Sequence, residues 1–237
     1  MKRDKNMALI TQKMDITFSL RRKEVVEMQP LVKEMQLRWP ALFLKEQICA
    51  EFSRITKDLM GTFMTALDTY SLRLIKLYRI KKAAFCNDMD SLLRKFDEQV
   101  SNIVEHRRTI SLEGLPIFVR DDETKLFLTC LDTDPVERAT RGVTVGILTV
   151  LEDYVGPNSQ STVVNTAIVL EEDIILDDLP DLPTAFAYLF GLLYGLNMDF
   201  PKELKYTFKA VQHIFMELTS TCSQRIRSFK TKLLTKV

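Results

Sequence analysis

The chain has 237 residues, 46% of them hydrophobic and 27% charged, and a formal net charge of +1. That is an ordinary soluble globular composition, enough for one large domain or two small ones with a real core and no metal or disulfide staples. Four scattered cysteines (Cys49, Cys86, Cys130, Cys222), no CxxC pair and two histidines exclude the usual zinc spacings and a secreted disulfide framework.

The near-neutral total hides an uneven distribution. Residues 1–110 hold 21 Lys/Arg against 14 Asp/Glu, residues 111–181 hold 4 against 15, and residues 182–237 hold 8 against 3. Blocks of opposite sign can face each other within the fold or between copies, or the basic helices can meet a polyanion. The opening MKRDKNMALITQKMD lacks the continuous apolar stretch of a secretory signal. The longest apolar run, Ala185–Leu196, is too short to cross a bilayer. An intracellular protein, cytoplasmic or nuclear and off the membrane, is the expectation.

Residues 1–20 are polar and weakly patterned and read as a flexible arm. From Arg21 a helical period places Val25, Met28, Leu31, Val32 and Met35 on one face, with Pro30 kinking or splitting the helix. Pro40 disfavours helix at Trp39, so Arg38–Phe43 breaks the run. Further stripes follow at Leu44, Ile48, Phe52, Ile55, Leu59, then at Phe63, Leu67, Tyr70, Leu74, Leu77, and from Asp88 at Met89, Leu92, Phe96, Val100, Ile103. Each lasts about two heptads, which favours an antiparallel helical array over a coiled coil.

At Gly114-Leu115-Pro116 the texture changes. Ile117–Val119 reads as a short strand and Glu123–Leu131 as a short helix. Val143–Leu151 and Thr162–Leu170 alternate as strands, joined through turn chemistry at Gly156–Ser159, and Ile174–Leu176 can add an edge strand. Asp181/Pro183 and Asp199/Pro201 are paired helix starts. The helix from Ala185 is apolar nearly all round, its partner carries a stripe at Leu204, Phe208, Val211, Phe215 and Leu218, and a basic helix spans Ile226–Leu234. The fold class is therefore α+β: residues 21–110 form a helical array, and residues 111–237 a small antiparallel sheet packed by C-terminal helices, the two parts able to form one domain.

Four ordered motifs, RWPALF, RGVTVGILTVLED, LPDLPTAFAYLFGLLYGLN and FPKELKYTFKAVQHIFMEL, carry a family likeness. Over roughly Arg21–Leu218 the chain resembles the C-terminal region of a multi-copy group of fish proteins labelled sterile alpha motif domain-containing protein 3-like. The residues before Arg21 are too few for a sterile alpha motif domain. The resemblance implies no catalytic residues, and the multiplicity of such sequences suits mobile-element ancestry or an expanded regulatory family.

No constellation reads as an active site, and no cofactor is expected. The acidic string Glu171-Glu172-Asp173, Asp177-Asp178, Asp181 lies within eleven residues, so it would fan out along a strand end rather than converge on a metal. Seven glycines in the whole chain supply neither GxGxxG nor GxxxxGK[ST]. Gly191 and Gly195 suit close approach of a neighbouring helix. Cys86 follows Lys81-Lys82, which could lower its pKa, though a plain thiol is the simpler reading.

The remaining candidates concern partners. Trp39, the only tryptophan, beside Arg38, is either an exposed anchor or an apolar plug at an inter-helix corner. Arg21, Arg22, Lys81 and Lys82 sit at expected helix ends, where they could meet a protein partner or phosphates. A non-enzymatic interaction or regulatory module, able to self-associate, is the leading expectation. A nucleic-acid-associated protein of mobile-element ancestry is the alternative.

Overall fold

The computed structural model describes residues 6–85, 87–98, 102–153 and 162–235. Cys86, Val100 and the Gly156–Ser159 turn lie outside them.

Seven helices come first: α1 (Met7–Ile16), α2 (Phe18–Met28), α3 (Val32–Arg38), α4 (Lys45–Ile55), α5 (Leu59–Lys81), α6 (Asp88–Asp97) and α7 (Ile103–Val119). The split between α2 and α3 falls at Pro30, behind Gln29 in the left-handed region (φ 46°). Residues 7–20 are not an arm. Asn6 caps α1 by accepting the Leu9 N–H at 3.1 Å, and Met14 is buried against the later helices.

The expected strand at Ile117–Val119 is instead the last turn of α7, which runs through Gly114 and Pro116. A Cβ at Gly114 would stand 2.4 Å from the Tyr78 ring, so the glycine serves a close approach of α5 and not a break. The helix stops at Arg120 (φ 59°), where Asp121 N–H reaches Pro116 O and Arg120 N–H reaches Ile117 O, a Schellman ending.

Glu123–Leu131, read as a helix, is one 3-10 turn followed by strand β1 (Phe127–Leu131). Phe-Leu-Thr-Cys-Leu is compatible with either state, and pairing with a neighbouring strand decides it. A short helix α8 (Val136–Thr140) leads to β2 (Val145–Leu151), then β3 (Val163–Leu170) and β4 (Asp173–Leu176). The sheet order is β1-β2-β3-β4. β2, β3 and β4 pair antiparallel as expected, but β1 pairs parallel with β2, so the sheet is mixed. The connection through α8 supplies the length that a parallel pair needs. The α+β class with an N-terminal helical array holds.

α9 (Leu182–Gly195) opens with Asp181 accepting the Thr184 N–H at 2.7 Å. It lies between the sheet and helices α4 and α5, and Phe186, Leu189 and Phe190 are fully buried there. A Cβ at Gly191 would meet Leu59 Cδ2 at 2.5 Å and Ile48 Cγ2 at 3.0 Å, which is the close helix approach read from the GxxxG spacing. α10 (Lys205–Ala210) continues into a π-helical turn over Val211–Phe215, and α11 (Gln224–Leu234) closes the described chain.

Candidate functional site

An apolar opening lies where α3 ends. Trp39 leaves the helix with its N–H on Met35 O (2.7 Å), and Pro40 starts the following 3-10 turn. The half-buried indole donates from Nε1 to Glu24 Oε2 at 3.1 Å. Two guanidiniums stand over its ring, Arg21 at 5.5 Å and Arg38 at 5.9 Å from the centroid. Each is a cation–π contact worth roughly 0.5–2 kcal/mol. Beside the ring, Ile10, Met14 and Ile16 of α1 face Pro40 and Ala41 across a groove of about 310 Å³. Lys13 and Arg38 stand at its rim.

Trp39 is half-buried: it packs against the main core and also lines the groove. Ile16, which lines the groove, is 75% exposed, and Leu20, Met28, Leu31 and Leu37 are also in water.

The other sequence candidates are not brought together. Arg21 belongs to the interior, at 1% exposure. It donates from Nη2 and Nε to the two oxygens of Glu51 (2.6 and 3.2 Å), from Nη1 to Thr17 Oγ1 (2.6 Å) and from Nη2 to Met14 O (2.9 Å). Arg54 joins Glu51 to Asp15, at 2.8 and 2.6 Å. A residue read as part of a surface basic cluster is therefore the charged pin that holds α1 and α2 to α4. Arg22 donates to Tyr194 O and Asn197 Oδ1, both at 3.1 Å, beside a polar pocket of about 290 Å³ that Gln212 also lines. Lys81 ends α5 in solvent, and Lys82 pairs with Asp90 at 2.8 Å. Arg38 pairs with Glu24 at 2.9 Å yet keeps most of its side chain in water.

The acidic string is dispersed among structural tasks. Glu171 Oε2 accepts the Val32 N–H at the start of α3 (2.8 Å), and Glu172 Oε1 accepts the Gly142 N–H (3.0 Å). Both occupy a two-residue hairpin turn at positive φ, 52° and 70°. Asp173 lies 3.7 Å from Lys33, and Asp181 caps α9. Among the described residues no group of three or more His, Cys, Asp or Glu is placed to hold a metal. His213 is buried with Nδ1 2.7 Å from Thr219 O, and burial with nearby Asp58 and Glu46 pushes the Cys49 thiol up to about 11. A thiol raised so far is not a thiolate at neutral pH.

Glu113, half-buried on α7, has its carboxyl pushed up by burial, with Lys95 opposing. A carboxyl raised in the folded state favours folding at pH below its unfolded value and loses that contribution as pH rises through the folded value. Glu113→Gln is accordingly expected to raise the melting temperature at neutral pH and to leave it unchanged in acid. Calorimetry at the two pH values checks this.

Lys13, Ile10 and Met14 were missed because α1 was read as an arm. Its signal is faint: an asparagine cap at Asn6 and one four-residue spacing from Ile10 to Met14.

Residues 1–44 match the family model of the sterile alpha motif domain-containing protein 3, helical domain. The match supports a relationship to that family over these residues, and they contain the whole groove from Ile10 to Ala41. No curated protein and no solved structure matches the chain. No helix among the described residues is long and apolar enough to cross a membrane.

Proposed function

We propose that this chain is a non-enzymatic protein-interaction module, acting inside the cell, that docks a partner through the Trp39 groove. The observation that carries the reading is the groove itself, an apolar slot between α1 and Trp39–Ala41 rimmed by Lys13 and Arg38. Such a slot takes an apolar side chain presented on a helix or turn, with carboxylates beside it to meet the rim. Free cysteines at 49, 130 and 222 fit a reducing compartment. The family relationship is proposed to extend past residue 44 to about Leu218, on the three motifs that lie there.

The nucleic-acid alternative draws on the same basic residues and finds fewer of them free. Arg21 is buried, Lys82 is paired with Asp90, and Arg108 grips both oxygens of Asp68 at 2.7 Å. It predicts DNA or RNA binding that falls steeply with salt.

As the only tryptophan, Trp39 reports on the groove directly. Titrating a synthetic acidic amphipathic helix, with leucines at i, i+4 and i+7, should shift its emission saturably. The same peptide with lysines in place of the acids should bind at least about tenfold more weakly, as charge complementarity requires. A flat response to both peptides contradicts the docking reading.

A further inference from the structure

Among the described residues, the sheet end carries a second exposed apolar surface. Leu131 pairs with Leu151 across the parallel ladder, and Leu151 pairs with Val163 across the antiparallel one. Leu131 and Leu151 project to the same face, and Val163 joins their row at the bulge where the β2–β3 register shifts between Val150 and Leu151. Nearer the helices, the same face of β1 and β2 carries Phe127 and Ile147, which pack into the main core. The row itself lies beyond that cover: Leu131 is 37% exposed and Val163 55%.

Its rim is acidic. Asp132, Asp134, Glu152 and Asp153 are all exposed, and none has an ion-pair partner among the described residues. Two of these carboxylates are held in place by the backbone: Asp132 Oδ1 accepts the Asp153 N–H at 3.0 Å, and Asp134 Oδ2 accepts the Leu131 N–H at 3.1 Å. The chain therefore carries two apolar surfaces with charged rims, Lys13 and the Glu24-paired but largely exposed Arg38 on one, four carboxylates on the other. They are the local form of the basic and acidic blocks that the sequence shows overall.

Resting on the docking reading above, we infer that the occupant of the Trp39 groove is the acidic sheet end of a second copy of this chain. The Leu131–Leu151–Val163 row meets Trp39, Ile16 and Ile10, while Asp132 and Asp134 meet Lys13 and Arg38. Because groove and sheet end are different surfaces, the contact is heterologous: it closes as a reciprocal pair or ring, or else continues from copy to copy. The charge rims are exposed, so they set association rate and salt dependence, and the apolar row supplies the adhesion.

Sedimentation velocity on the full chain, across a concentration series at low and high salt, tests this. The mass should rise above the monomer at low salt, and salt should weaken the association. Lys13→Glu with Arg38→Glu should weaken it on the order of 100-fold, and so should Asp132→Lys with Asp134→Lys, because each places like charges opposite one another. Mixing these two variants should restore association, since the reversed rims match again. Circular dichroism melts of both variants establish that they are folded. A wild-type chain that stays monomeric at low salt overturns the inference. So does association that survives either reversal, or a mixture that fails to recover. If Trp39 still answers the acidic peptide in those cases, the docking reading stands and only the second-copy occupant is lost; if it does not, both fall.

Discussion

Truncating Phe190 to alanine is expected to cost about 3–5 kcal/mol, the range for removing a phenyl group from a packed core. The side chain is fully buried, and its ring lies 5.9 Å from Phe52, 5.0 Å from Tyr194 and 6.3 Å from Phe200. These neighbours come from α4, from α9 itself and from the segment after it, so little can collapse into the space without moving a helix. Leu193→Ala should cost about 2–5 kcal/mol for the same reason. Gly191→Leu should be comparably harmful from the opposite cause, because Leu59 and Ile48 already occupy the volume a side chain needs. Urea denaturation measures all three. A cost below about 1 kcal/mol for Phe190→Ala would mean that α9 is not the centre of the core.

Arg21→Ala should be of similar size, about 3–5 kcal/mol, because it leaves the Glu51 carboxylate buried without its main partner. Arg54, at 2.8 Å from Glu51, offsets part of the loss and places the expected value toward the lower end. Replacing the pair together, Arg21→Met with Glu51→Leu, should recover most of it, since an apolar pair of similar volume avoids desolvating two ions. The double variant should still change Trp39 fluorescence, because the guanidinium on one face of the ring is gone. If Arg21→Ala is nearly neutral while α1 stays in place, the ion pair is not what holds α1 and α2 to α4.

The helices from α4 to α6 and the α9 hairpin were legible as elements because each keeps an apolar stripe at helical spacing. Their ends were not: Leu59 starts α5 instead of ending α4, and the stripe from Asp88 ran on to Ile103, which begins α7 and is exposed. Hairpin β2–β3 was legible because two β-branched runs flank turn chemistry, although both faces are covered near the helices and the alternation is incomplete. Where the reading failed, the deciding partner lies far away in sequence. Arg21, inside Arg21-Arg22-Lys23, looks like a solvated cluster, and only Glu51, thirty residues on, makes it interior. α1 buries a single apolar side chain, Met14, so its own pattern is too thin to announce a helix. The strand state and parallel direction of β1 come from its ladder with β2. Gly114 and Pro116 carry turn chemistry in isolation, yet the close packing of Tyr78 retains them in a helix. The groove was half legible: Trp39 and Arg38 stood out, but its other wall is the helix that was not seen.

Collisional quenching of Trp39 at low salt, at a protein concentration low enough to keep the chain monomeric, tests the central claim most directly. An open groove lined by Lys13 and Arg38 should admit acrylamide readily, and iodide should quench better than caesium, because the charged side chains lining it are cations. Adding the acidic peptide should suppress quenching by all three. A Trp39 already shielded in the free monomer, or one whose accessibility the peptide leaves unchanged, would contradict the assignment of this corner as the docking surface.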